Sequence, residues 1–162
     1  MLCYSGTLFW AEAVLAASPV KVLVVDDYEP FRRFVFSMLG ERPELQIIGE
    51  ASDGLEAIQK AEEPRPDLIL LDVGLPILNG IEAARQIRRI VQESKIIFVS
   101  QETSADVVQE AFRVEALGYL AKTDAGSELL PALSAVLRGE TLASSRLAEH
   151  DFTEPSVHPR RK

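Results

Sequence analysis

The sequence predicts an α/β protein: a three-layer, doubly wound sandwich with helices on both faces of a parallel sheet. Two patterns carry that expectation. Short apolar runs rich in β-branched residues alternate with segments of helical period, giving five βα units in succession. Four of the runs also end on a polar group: VKVLVV on Asp26-Asp27, DLILL on Asp72, KIIFV on Ser100 and ALGYLA on Lys122. Ligand sites of open parallel sheets lie outside the carboxyl ends of the strands, so these four ends converge on one crevice.

The first strand is Val20 to Val25, too short for a helix, and Phe31, Phe34, Val35, Met38 and Leu39 then recur at helical spacing up to Gly40. Leu45 to Ala51 reads as a second strand, with Asp53-Gly54 opening a helix through about Ala61. Asp67 to Leu71 is a near-continuous apolar run of the kind buried on both faces. A loop holding Pro76 and Gly80 leads from it into a helix ending near Val91. Lys95 to Val99 and Leu117 to Ala121 are the fourth and fifth strands, separated by a helix from about Ser104 to Val114. Leu129, Leu130, Leu133, Val136 and Leu137 stripe the last helix. Pro131 interrupts it, so this helix is expected either to begin late, near Ser127, or to bend.

One domain over residues 19–139 suits a chain of 162 residues. Residues 1–18 read as an extension, flexible or a short helix. The apolar stretch Leu8 to Ala17 within it carries Glu12, has no Lys or Arg ahead of it, and is too short to span a bilayer. Residues 140–162 lose all periodicity and read as a flexible tail.

A net charge of −8, with the only dense basic cluster at Arg160-Arg161-Lys162, argues against nucleic acid as a partner. The single cysteine, Cys3, excludes an intramolecular disulfide and fits the cytoplasm. His150 and His158, the two histidines, both lie in the tail, which removes histidine chemistry from the domain.

Asp26, Asp27 and Asp72 bring three carboxylates to one sheet edge, where mutual repulsion is costly unless a cation relieves it. Oxygen-only ligands favour Mg²⁺. A carboxylate beside such a metal can attack phosphorus and form an aspartyl phosphate, with Ser100 and Lys122 holding the transferred oxygens. Each residue also has a plainer reading. Asp26-Asp27 could simply cap the next helix, whereas Asp72 lies too far ahead of Gly80 to do so. Thr103 and Ser104 are better placed than Ser100 as caps. Lys122 precedes a helix N-terminus, the wrong end of the dipole for a cation without a nearby anion.

VLVVDD, ASDG-x-EA, DLILLDVGLPILNG, FVS and GYLAK, in this order and spacing over roughly Val20 to Gly139, resemble the receiver domain of bacterial response regulators. The resemblance implies a flavodoxin-like sheet of order 2-1-3-4-5. It also implies phosphorylation of Asp72 by a histidine kinase or phosphotransfer protein. Asp26, Asp27, Asp72 and the Gly74 carbonyl would be Mg²⁺ ligands, Ser100 and Lys122 the phosphate-binding pair, and Tyr119 the aromatic switch. Output would pass to a downstream protein through the face made by helix 4, strand 5 and helix 5, which could also support a homodimer. Such a domain is not an enzyme beyond its own phosphorylation and dephosphorylation.

Glu29-Pro30 and GYLAKTDAGSELLPALSAVLRGE resemble receivers of the NarL/FixJ type, which normally precede a helix-turn-helix. The 23 residues after Gly139 are too few for one, so a single-domain receiver is expected. Gln101 departs from the small residue usual after the switch hydroxyl, where a larger polar side chain could either hinder access to Asp72 or orient water at the acylphosphate. Alternatives are a binding module that is never phosphorylated, a truncated transcriptional regulator, and an aspartyl phosphatase. The last lacks its second acid, because Gly74 stands there.

Overall fold

The computed structural model describes residues 18–148. The Leu8 to Ala17 stretch, both histidines and the basic cluster at the end lie outside the described residues. The strands are β1 (Val20–Val25), β2 (Leu45–Ala51), β3 (Leu68–Leu71), β4 (Lys95–Ser100), β5 (Gly118–Ala121) and β6 (Leu142–Ala143). The helices are α1 (Glu29–Leu39), α2 (Gly54–Glu62), α3 (Gly80–Ile90), α4 (Ala105–Arg113), α5 (Ala125–Leu137) and the short α6 (Ser145–Ala148). All strand pairs are parallel, in the order β2-β1-β3-β4-β5-β6.

Strand alternation sorts the core into two layers. Leu23 and Val25, Ile69 and Leu71, Ile96 and Phe98, and Tyr119 face one way, onto Ala57 and Ala61 of α2, Ala84 and Ile87 of α3, and Val108 and Ala111 of α4. Their neighbours Val22, Val24, Leu68, Leu70, Ile97, Val99 and Leu120 face the other way, onto Val35 and Leu39 of α1 and Leu129, Leu133 and Val136 of α5. Both faces being covered is what makes β3 apolar at every position and leaves β1 and β4 apolar between their polar residues Lys21, Lys95 and Ser100. Each large aliphatic side chain so buried is worth roughly 1.5–3 kcal/mol.

Local chemistry sets the helix starts. The Asp53 carboxylate accepts the Glu56 N–H at 2.8 Å while Glu56 accepts the Ser52 N–H at 2.9 Å, which together cap α2. Asn79 caps α3 by accepting the Glu82 N–H at 2.9 Å. Ser104 occupies the N-cap position of α4 without a side-chain bond.

Two expectations change. The last helix does not wait for Ser127: a 3₁₀ turn, Lys122–Asp124, runs straight into α5 at Ala125, and Pro131 lies in the helix interior on an exposed position. The tail boundary also moves. Leu142 and Ala143 pair with Gly118 and Tyr119 as a sixth strand, and Leu147 is buried, so order continues to residue 148. A two-residue strand is too short to leave a periodic signature in sequence.

Backbone proximity at the site depends on two glycines. A Cβ on Gly80 would fall 1.9 Å from the Asp72 carbonyl oxygen, and one on Gly54 would fall 2.0 Å from the Leu78 carbonyl oxygen. At Gly126 the nearest atom is Phe34 Cζ, at 4.0 Å. Gly80→Ala and Gly54→Ala are therefore expected to lose about 1–3 kcal/mol in denaturant titration. Gly126→Ala should be neutral or gain up to about 1 kcal/mol. Equal effects at the three positions would contradict this packing.

Candidate functional site

Parallel registry brings the four run-ends together. Val25 aligns with Leu71 and Leu71 with Phe98, so Asp26 and Asp72 leave adjacent strands side by side. The ladder continues one residue further and fixes both, with Asp72 N–H on the Val25 carbonyl at 3.0 Å and Asp26 N–H on the Ala51 carbonyl at 3.0 Å. Ser100 pairs with Ala121, which places Lys122 just beyond it. Asp72, Ser100 and Lys122 line one open cleft of about 1180 Å³, together with Asp27, Gly74, Gln101 and Glu102.

Asp26 and Asp72 are buried and Asp27 is exposed, and a carboxylate oxygen from each lies within 4.8 Å of the others. Such a set of hard oxygen donors fits a divalent cation. Among the described residues no other group of this kind is found. The Lys122 ammonium reaches into the cluster, 2.7 Å from Asp26 Oδ2 and 3.3 Å from Asp72 Oδ2, and stands 4.7 Å from the centre of the Phe31 ring. Burial pushes the Asp26 carboxyl above its ordinary value and the Asp72 charge adds to this, only partly offset by Lys122 and the Tyr28 N–H. For Lys122, burial works against the charge, but Asp26 and Asp72 outweigh it and hold the ammonium above its ordinary value.

The alternative of Asp26-Asp27 as helix caps is not realised. Tyr28 is the N-cap of α1 and makes no side-chain cap bond. Asp26 accepts the Tyr28 N–H at 2.9 Å, a bond that holds the β1–α1 turn.

Ser100 is buried, and its Oγ accepts the Glu102 N–H at 3.1 Å, so its own proton can point elsewhere. The Tyr119 hydroxyl donates to the carbonyl of the same residue, Glu102. Tyr119 is fully buried against Phe98, and its phenol is pushed up to about 12 by that burial. One peptide segment of the β4–α4 loop thus bridges Ser100 and Tyr119. Gly74 lies beside Asp72, its N–H 3.4 Å from Oδ1, and Gln101 is exposed at the mouth.

Several supporting residues escaped the sequence reading. Arg32 donates from Nη1 to the Asp26 carbonyl at 2.7 Å and from Nε to Glu50 at 2.6 Å, tying the β1–α1 turn to β2. Hydrogen bonding from Arg32 holds the Glu50 carboxyl below its usual range. Arg85 of α3 bonds Glu110 of α4 at 2.8 Å and links the two helices flanking the cleft. A surface arginine at helical spacing carries no sequence mark of such a role.

Removing Lys122 leaves two buried carboxylates without their cation, so Lys122→Met in EDTA should cost about 3 kcal/mol. Adding Asp26→Asn to it should restore most of the loss. Asp26→Asn alone has a sign set by linkage. Because the folded-state pKa is raised, the stability that Asp26 contributes is present at low pH and lost as pH rises through that value. The melting temperature of Asp26→Asn relative to the unaltered protein should therefore increase between pH 4 and pH 7 by a few degrees. A difference that shrinks over that range would contradict the assigned burial of charge.

The comparisons agree with this geometry. The family profile of the response regulator receiver domain matches residues 22–134. The chain is 37% identical over 129 residues to the transcriptional regulatory protein LiaR of Bacillus subtilis, covering 80% of this chain and 61% of that protein. It is also 37% identical over 129 residues to the DNA-binding transcriptional activator DevR/DosR of Mycobacterium tuberculosis, covering 80% of this chain and 59% of that one. The chain thus spans about three-fifths of the length of these relatives. A crystal structure of a LuxR-family two-component response regulator from Aurantimonas sp. SI85-9A1 superimposes with a TM-score of 0.78 at 30% identity, covering 87% of this chain and all of that one. The response regulator domain of Thermotoga maritima CheB gives 0.67 at 33% identity, covering 76% and 96% of the two chains. With profile, relatives and fold in agreement, the chain belongs to the response regulator receiver domain family.

Proposed function

We propose that the domain is a phosphoacceptor switch of a two-component system, in which Asp72 takes a phosphoryl group from the phosphohistidine of a kinase or phosphotransfer protein. The observation that carries the reading is the Lys122 ammonium bonded to both Asp26 and Asp72 within a cluster of three carboxylates. A salt bridge built only for stability would not need a third acid and an open cleft.

A carboxylate oxygen of Asp72 attacks phosphorus, the new O–P bond forms as the N–P bond breaks, and the imidazole leaves with the electron pair. Mg²⁺ held by Asp26, Asp27, Asp72 and the Gly74 carbonyl would supply charge neutralisation at the phosphoryl oxygens. Lys122 pairs with one phosphoryl oxygen and the Ser100 hydroxyl donates to another, using the proton that Glu102 leaves unengaged. Drawing Ser100 inward moves Glu102, whose carbonyl is the partner of Tyr119, so the change reaches the α4–β5 side of the domain. Hydrolysis reverses the state when water attacks phosphorus and the bond to Asp72 breaks. The domain acts on no other substrate, works in the cytoplasm and signals through protein contacts rather than through nucleic acid.

Intact-mass analysis after incubation with acetyl phosphate and Mg²⁺ tests the reading. The unaltered protein should gain one phosphoryl mass, Asp72→Asn none, and EDTA should cut labelling by at least about tenfold. Labelling of Asp72→Asn would overturn the assignment. An unlabelled native protein would favour a binding module that is not phosphorylated.

A further inference from the structure

The chain beyond α5 grips the strand that carries the cation of the site. After Gly139, at φ 91, it returns to the edge of β5, where the Leu142 N–H bonds the Leu117 carbonyl at 3.0 Å and the Ser144 N–H bonds the Tyr119 carbonyl at 2.9 Å. β6 then ends, and no strand carbonyl faces the next N–H of β5. The Ser144 hydroxyl oxygen takes that place, accepting the Ala121 N–H at 2.8 Å. Ser144 is 0% exposed, so without its hydroxyl the Ala121 N–H would be a buried donor with no partner.

Two further contacts hold the segment down. Glu128 of α5 accepts the Ser145 hydroxyl at 2.5 Å and the Ser145 N–H at 3.3 Å. Leu147, 2% exposed, joins the cluster containing Phe98, Val108, Ala111 and Tyr119. One residue therefore bonds both Tyr119 and the N–H immediately before Lys122. Because Lys122 begins a 3₁₀ turn, a displaced Ala121 carries the lysine with it, and its bonds to Asp26 and Asp72 tolerate only small shifts.

We propose that Leu142–Leu147 is a latch on the β5 edge that positions Lys122, with Ser144 as its positioning residue, and that engagement of the latch is coupled to occupancy of the Asp72 site. The proposal rests on the phosphoacceptor reading, which supplies the occupant. It also means that the β5 edge is already paired, so a partner reading strand 5 meets β6 or displaces it. Coupling is reciprocal: if an engaged latch favours the phosphoryl-binding position of Lys122, a phosphoryl mimic must favour the engaged latch.

The test uses the full chain with beryllofluoride as mimic. In saturating Mg²⁺, Ser144→Ala should bind beryllofluoride about three- to tenfold more weakly, while Mg²⁺ affinity measured without fluoride stays within about twofold. Glu128→Gln, which loosens the same segment from the exposed side, should give a smaller drop in the same direction, and it carries the test if Ser144→Ala does not fold. In the unaltered protein, beryllofluoride should slow amide exchange at Leu142 and Ser144. Native-like beryllofluoride binding by the variants, equal loss of Mg²⁺ and beryllofluoride, or unchanged exchange would each overturn the latch. Failure of the unaltered protein itself to bind beryllofluoride would be seen before any variant is made, and would overturn the phosphoacceptor reading and the latch with it.

Discussion

The Lys122 ammonium lodged between Asp26 and Asp72 is the interaction on which the rest of this site depends. Two buried carboxylates side by side, with a third at the rim, repel one another in a place where water screens poorly. Lys122 makes that concentration of negative charge tolerable, yet its own burial is offset only by those same acids. Neither partner is stable there alone. A divalent cation or a phosphoryl group placed there would alter the charge that Lys122 answers to.

The fold supplies this geometry because every strand is parallel and points its carboxyl end the same way. Apolar residues on both faces lock the register, and a one-residue slip would bury polar groups throughout. Position is then refined by contacts no periodicity predicts: Gly80 permits α3 to start against the Asp72 carbonyl, Arg32 pins the β1–α1 turn, and Glu102 bridges Ser100 to Tyr119. Ser144 closes the open end of β5 from the far side. The site is thus held from four directions by groups that are mostly backbone or neutral.

What could be read from the sequence follows from which forces leave a regular pattern. Strands β1 to β5 were legible as short apolar runs, because a sheet covered on both faces buries successive side chains, and the five long helices were legible because burial of one face imposes a period of 3.6 residues. Asp72, Ser100 and Lys122 were legible because each ends an apolar run where it has poor structural use, and Asp26-Asp27, which could have been caps, gain meaning mainly from them. The late start expected from Pro131 is not realised, because the 3₁₀ turn at Lys122–Asp124 starts the helical path early. The ordering of Leu142–Ala148 was missed for a different reason. Two strand residues and one buried leucine make no period, and their order comes from Ser144 and Glu128 meeting partners far off in the chain. Arg32 and Arg85 likewise show their value only in three dimensions.

The central claim, that the acid cluster exists to make Asp72 a phosphoacceptor, is tested most directly by trapping. Reduction of an aspartyl phosphate with borohydride converts that residue to homoserine, which peptide mass mapping locates. After reaction with acetyl phosphate and Mg²⁺, the account predicts homoserine at position 72 and nowhere else in the chain. Homoserine at Asp26 or Asp27, or none in a protein shown to be folded and Mg²⁺-bound, would contradict it.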